Sequence, residues 1–162
     1  MSNDIYAYAG VKGGPELDGP NGAHYILVWN RLAIAATMAK GAVYEILFAD
    51  DATDAYFPFP KIPATNSTVM HVVGVVNNWL RPDGTILTGT WGWLQTKGYC
   101  DNVLSTTDVA DNNTITTTNG TTAITDTGAA TLATNTFGIA KGARSGAGLF
   151  PALLLGRLVA QP

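Results

Sequence analysis

Side chains able to ligate metals, move protons or attack an electrophile are sparse in this chain. The histidines, His24 and His71, stand among apolar strand-type residues, with no Cys, Glu or His at metal-ligand spacing, and read as strand residues rather than ligands or bases. Asp50, Asp51 and Asp54 invite a calcium reading. They lack the alternating acidic order and the bidentate Glu of an EF-hand loop, so a solvated turn is expected. The stretch Gly142-Ala-Arg-Ser-Gly-Ala-Gly148 is glycine-rich like a phosphate cradle, yet it has neither a Gly-Lys-Ser/Thr ending nor a Gly-x-Gly-x-x-Gly order. It reads as a flexible turn. The lone Cys100, between Tyr99 and Asp101, has no cationic neighbour in sequence to lower its pKa and reads as a structural thiol. Glu16 and Glu45 are the only glutamates, so a carboxylate pair for glycoside cleavage would have to assemble from distant strands. That leaves the tryptophans, Trp29, Trp79, Trp91 and Trp93, which suit either a buried core or a platform on which sugar rings stack.

The elements that must position these residues are strands. His24 to Trp29 is rich in β-branched and aromatic types; Ala42 to Phe48 alternates; Val69 to Val76 is apolar on both faces, as in a strand buried between two layers. For residues 31–39 a helix stays open as an alternative. Pro58, Pro60 and Pro63 make 50–67 a long loop. Arg81-Pro82-Asp83-Gly84 is a turn with strands expected on both sides. From Trp91 a strand places Trp91, Trp93 and Gln95 on one face and Gly92, Leu94 and Thr96 on the other; Gly98 interrupts it, and 99–104 continue it as a strand or bulged extension. The Thr-rich stretch 105–136 suits exposed hairpins, with Asn119-Gly120 as a hairpin signal. Strands at 137–141 and 149–159 close the chain.

The expected fold is therefore all-β, a sandwich or barrel of about eight to ten short strands. Residues 1–22, dense in Gly and Pro, form an extended N-terminal arm carrying Tyr6 and Tyr8, and 23–162 form a single β domain. A chain of 162 residues is long enough to bury a core without disulfides or metal. Its net charge of −3 offers no basic surplus for phosphates, which argues against nucleic acid or an anionic membrane as the main partner. Neither a secretory leader nor an apolar run of about 18 residues is present, so synthesis in the host cytoplasm is expected. With no catalytic constellation in view, the expectation is a protein that is not an enzyme and needs no cofactor.

The segment Gly92-Trp93-Leu94-Gln95-Thr96-Lys97-Gly98 resembles a motif of tailed-bacteriophage capsid decoration (cement) proteins, in which Gly-Trp-Val/Leu-Gln is followed by Gly. The upstream Lys40-Gly41-Ala-Val-Tyr-Glu45, the Ala/Thr/Gly-rich hairpins and the closing apolar strand ending Gly156-Arg157-Leu158 extend the similarity over about residues 40–158. The resemblance implies a virion structural protein on the outer surface of the expanded capsid, clamping neighbouring major capsid subunits, often as a homotrimer. Its interface would then draw on Tyr6, Tyr8, Leu149, Phe150, Leu153 and Leu155. A carbohydrate-binding module or fibre component, using exposed tryptophans, is the competing expectation. A hydrolase survives only if distant acidic residues converge in a cleft.

Overall fold

The structure is a computed structural model that describes residues 16–31, 37–47, 58–63, 71–128, 136–156 and 158–159. Its described residues are almost entirely β, as the alternation and turn chemistry require. The strands are β1 (Glu16–Asp18), β2 (His24–Trp29), β3 (Val43–Leu47), β4 (Phe59–Lys61), β5 (His71–Val76), β6 (Trp91–Ser105), β7 (Thr114–Thr117), β8 (Ile124–Asp126), β9 (Thr136–Ala140), β10 (Gly148–Leu155) and β11 (Leu158–Val159). A 3-10 turn, Pro20–Gly22, joins β1 to β2.

The organising element is β6, whose 15 residues serve both halves of one continuous eleven-stranded sheet. Its C-terminal half belongs to a closed five-stranded barrel, in which β6 pairs with β10, β10 with β9, β9 with β7 and β7 with β8. The ring closes through a single parallel pair, Ser105 with Ile124. Every other pairing among the described strands is antiparallel, as expected of strands joined by turns and loops rather than crossover helices. Around the N-terminal half of β6 the same sheet runs in the order β1-β2-β6-β5-β3-β4. Trp29 N–H donates to Pro58 O at 3.0 Å, and the Arg31 guanidinium lies 3.7 Å over the Phe59 ring, drawing the β4 side of this sheet back toward β2. Beyond Gly156, β11 leaves the barrel and pairs with the start of β5.

Two apolar cores result. One fills the barrel with Cys100, Val103, Ile115, Ile124, Phe137, Phe150 and Leu154 and also takes in Val43, Val73 and Val75 from β3 and β5. The other gathers Ile26, Val28, Met38, Tyr44, Ile46, Val76, Ile86 and Leu94. Strands β3 and β5 thus lie between the cores and are buried on both faces for that reason, β3 carrying the buried Glu45 on the same face as Val43. The turn Lys40-Gly41-Ala42 wedges the halves together. Gly41 O accepts from Leu104 N–H at 2.9 Å, Val43 N–H donates to Thr122 O at 2.8 Å, and Val76 N–H donates to Ala42 O at 2.9 Å. Gly41 adopts φ +81, and a Cβ there would overlap the Leu149 side chain.

Several expectations are revised in detail. Residues 16–18 form a strand on β2, so this part of the expected arm belongs to the body, while 1–15 lie outside the described residues. The strand expected straight after Arg81–Gly84 is reduced to one bridge, Ile86 with Met38, and β6 begins only at Trp91. Of the segment 31–39, residues 32–36 lie outside the described residues, as do Asp50, Asp51 and Asp54.

Candidate binding site

The pairing of β2 with β6 builds the most distinctive surface of the molecule. Register sets Tyr25 opposite Gln95, Leu27 opposite Trp93 and Trp29 opposite Trp91. Side chains directly opposite in an antiparallel pair share a face, so all six point away from the core that holds Ile26, Val28 and Leu94. Leu27 is nonetheless buried, because the larger side chains around it roof it over.

The rings form two groups. Trp29 and Trp91 lie 5.3 Å apart at 60°. Trp79, from the loop after β5, stacks on Trp93 with centroids 5.2 Å apart and planes 10° apart, and Tyr25 meets Trp79 edge-on at 4.7 Å. Trp79 remains 50% exposed and the adjoining Leu80 47%, while Leu17, opposite Tyr25 on β1, is 43% exposed. A run of exposed apolar surface therefore crosses from β1 through Tyr25 to the 79–80 loop. Exposed single apolar residues are ordinary; a contiguous run is the less usual arrangement on a protein surface.

A buried polar scaffold fixes the rings. Asn78 donates to Thr85 O at 2.7 Å and accepts from the N–H groups of Trp93, at 3.3 Å, and Leu80, at 3.4 Å, which holds the Trp79 backbone against β6. Gln95 is fully buried; its amide donates to Tyr99 O at 2.8 Å and Lys97 O at 3.1 Å, and its carbonyl accepts from the Asn77 amide at 2.8 Å. The turn below the platform is tied by Asp83, which accepts from the Thr85 hydroxyl at 2.8 Å and backbone N–H at 3.0 Å and from Arg81 at 3.3 Å. These bonds, the Thr85 backbone N–H first, hold the Asp83 carboxyl down at about 2. Burial, then Cys100 and Asp101, push the Tyr25 phenol up.

No protein-family model, no curated protein and no solved structure matches the chain. The reading of this surface therefore rests on its own chemistry.

Each motif residue has a defined place in it. Trp93 is part of the platform, and Gln95 is the bond hub beneath. Leu94 is buried in the core on the other side of the strand, and a Cβ on Gly92 would overlap Ile86. Gly98 adopts φ +84, with the Ala23 backbone 2.7 Å from where its Cβ would lie. Next to it the register slips between His24–Lys97 and Tyr25–Gln95, a bulge of the kind expected where Gly interrupts a strand.

The other singled-out residues fall elsewhere. Along β10, Leu149, Leu153 and Leu155 alternate with Phe150, Ala152 and Leu154; the first three lie on the outside of the barrel, and Phe150 fills its core. Tyr6 and Tyr8 lie outside the described residues. Glu16 is exposed on β1, while Glu45 is buried on β3, with β2, β6 and β5 between their strands. His24 Nδ1 lies 2.9 Å from Asp18 Oδ1 and its Nε2 3.5 Å from Glu16 Oε2, which fastens β1 onto β2. His71 begins β5. Cys100 is buried, and that burial pushes its thiol up to about 11 against a backbone hydrogen bond at Asn102. Among the described residues, no cluster of three or more His, Cys, Asp or Glu could hold a metal ion. Asn78 and Trp79 were missed as a positioning pair, because nothing in sequence ties the loop after β5 to the face of β2.

Proposed function

We propose that the protein is a capsid decoration protein, a non-enzymatic component of a phage virion that binds the outer surface of the mature shell and clamps neighbouring major capsid subunits. The observation that carries this reading is the aromatic face. A half-exposed Trp79 is pre-set on Trp93 by buried hydrogen bonds, and every residue of the motif Gly92, Trp93, Leu94, Gln95 and Gly98 contributes to it or to the strand that bears it. A rigid aromatic anchor flanked by Leu80 and Leu17 suits a protein interface, where such residues supply contact area at small entropic cost. A homotrimer would extend this to several capsid subunits at once, so that later contacts become intramolecular and effective affinity rises against the pressure of packaged DNA.

Trp79 also supports a second reading, a carbohydrate-binding module or fibre component. One face of its ring lies on Trp93, so a pyranose would stack on the other. Co-sedimentation with expanded phage capsids stripped of surface proteins separates the two. Saturable binding at a fixed ratio to the major capsid subunit, weakened by Trp79→Ala, is the result expected for decoration. Failure to bind, with polysaccharide quenching of tryptophan fluorescence lost in Trp79→Ala, would overturn decoration in favour of sugar binding.

A further inference from the structure

The chain has two Asn-Gly steps, Asn21-Gly22 and Asn119-Gly120, and the fold treats them differently. An asparagine before glycine is chemically labile because no Cβ shields its side-chain amide from the following backbone nitrogen, and glycine turns freely into the geometry of attack. At the second step that nitrogen is engaged over a long range. Gly120 N–H donates to Pro63 O at 2.8 Å, pinning the β7–β8 loop to the segment after β4. Both steps are exposed, and both glycines are left-handed with nothing within 4 Å of where a Cβ would be, Gly22 at φ 71 and Gly120 at φ 70; at the first step Asn21 is left-handed too, at φ 57, and among the described residues no such long-range bond is in place. The bonds that shape this turn are local ones, Ala23 N–H to Pro20 O at 3.1 Å and Gly19 N–H to Ala23 O at 2.8 Å.

From this contrast we infer that Asn21 is a site of spontaneous covalent modification, and that the reaction there releases β1 from β2. The Gly22 nitrogen attacks Asn21 Cγ. A C–N bond forms, the Cγ–Nδ2 bond breaks, and ammonia leaves carrying the proton lost by Gly22, giving a cyclic imide. Water then opens the imide at either carbonyl, yielding aspartate or isoaspartate, with no change of oxidation state.

Isoaspartate places one extra carbon in the main chain between Asp18 and His24, which are the closing pair of the β1–β2 ladder. Either product also adds a negative charge close in sequence to Glu16 and Asp18, the two carboxylates beside His24. A three-residue edge strand held by so few groups cannot absorb both changes and keep its register. Detachment of β1 removes Leu17 from beside Tyr25 and bares one border of the aromatic face.

The test is to incubate the purified full-length protein at mildly alkaline pH, map the modified residues by tandem mass spectrometry over time, and repeat the incubation in urea. In the folded protein Asn21 should convert several-fold faster than Asn119, and in urea the two rates should converge. Equal rates in the folded protein, or a faster Asn119, would overturn the assignment. Charge-separated modified protein should show faster hydrogen exchange at the amides of β1 and the start of β2 with the barrel unchanged; unchanged exchange at β1 would overturn the release. Asn21→Gln, which places the amide one carbon farther from the Gly22 nitrogen, should keep its β1 protection through the same incubation.

Discussion

At the residue scale the molecule depends on a few polar side chains in apolar surroundings, and Gln95 is the sharpest case. It is fully buried and satisfies two carbonyls and one amide, so replacing it with an apolar side chain removes all three bonds at once. Gln95→Leu should lower stability by about 3 kcal/mol or more, read from urea denaturation, since three partners lose their bond and each orphaned group costs about 1–3 kcal/mol. A change within measurement error would mean that water reaches these groups. Asp83 gives a pH test. Its carboxyl lies below the ordinary 3.8, at about 2, so the folded turn favours the charged form. The stabilisation is present above about pH 4 and is lost as pH falls toward 2. Carbon-detected NMR titration should place the Asp83 midpoint well under that of an unfolded peptide, and a midpoint at 3.8 or higher would contradict the hydrogen bonding described.

At the element scale β6 shows what local sequence can and cannot convey. Alternation placed Trp91, Trp93 and Gln95 on one face correctly, and Gly98 marked the irregularity, because both signals are local. What Gly98 is for was not readable, since its close neighbour Ala23 is far away in sequence. Gly98→Ala should lower the thermal midpoint, with a cost of about 1–3 kcal/mol from overpacking alone, and should speed hydrogen exchange in the turn 19–23. Unaltered stability would mean that this turn moves aside freely. The Asn119-Gly120 hairpin is present, with Thr121 N–H donating to Thr118 O at 3.3 Å around that pair, yet the ladder starts only where Thr117 pairs with Ile124, so the connection is six residues long, and Gly120 N–H reaches out of it to Pro63. The Thr-rich stretch was expected on an exposed surface, but Thr114, Thr116 and Thr136 are buried. Composition reports a preference for extended backbone and is silent on which face meets solvent.

At the scale of the whole molecule the all-β class was legible from turn spacing, whereas barrel closure was not. Closure depends on β6 meeting both β10 and β8, and no local pattern encodes strand order. The aromatic face was legible only as a choice between core and platform; its decisive member, Trp79, lies in a loop without periodicity. Because Val43, Val73 and Val75 fill the barrel core while neighbouring residues of the same strands fill the other, the two halves should unfold together. Scanning calorimetry should give one transition with equal calorimetric and van't Hoff enthalpies. Two resolved transitions would show that the Lys40-Gly41-Ala42 wedge couples the halves only weakly.

The shared strand also sets an order of events on the ribosome. Among the described strands, β2 has only β1 as a partner close in sequence, and its main partner, the first half of β6, emerges more than sixty residues later. Until then Tyr25, Leu27 and Trp29 wait beside an open edge, and pairing must pass through closure of a long loop, a slow and aggregation-exposed step. The face proposed as a contact surface is thus, during synthesis, the segment most in need of a chaperone.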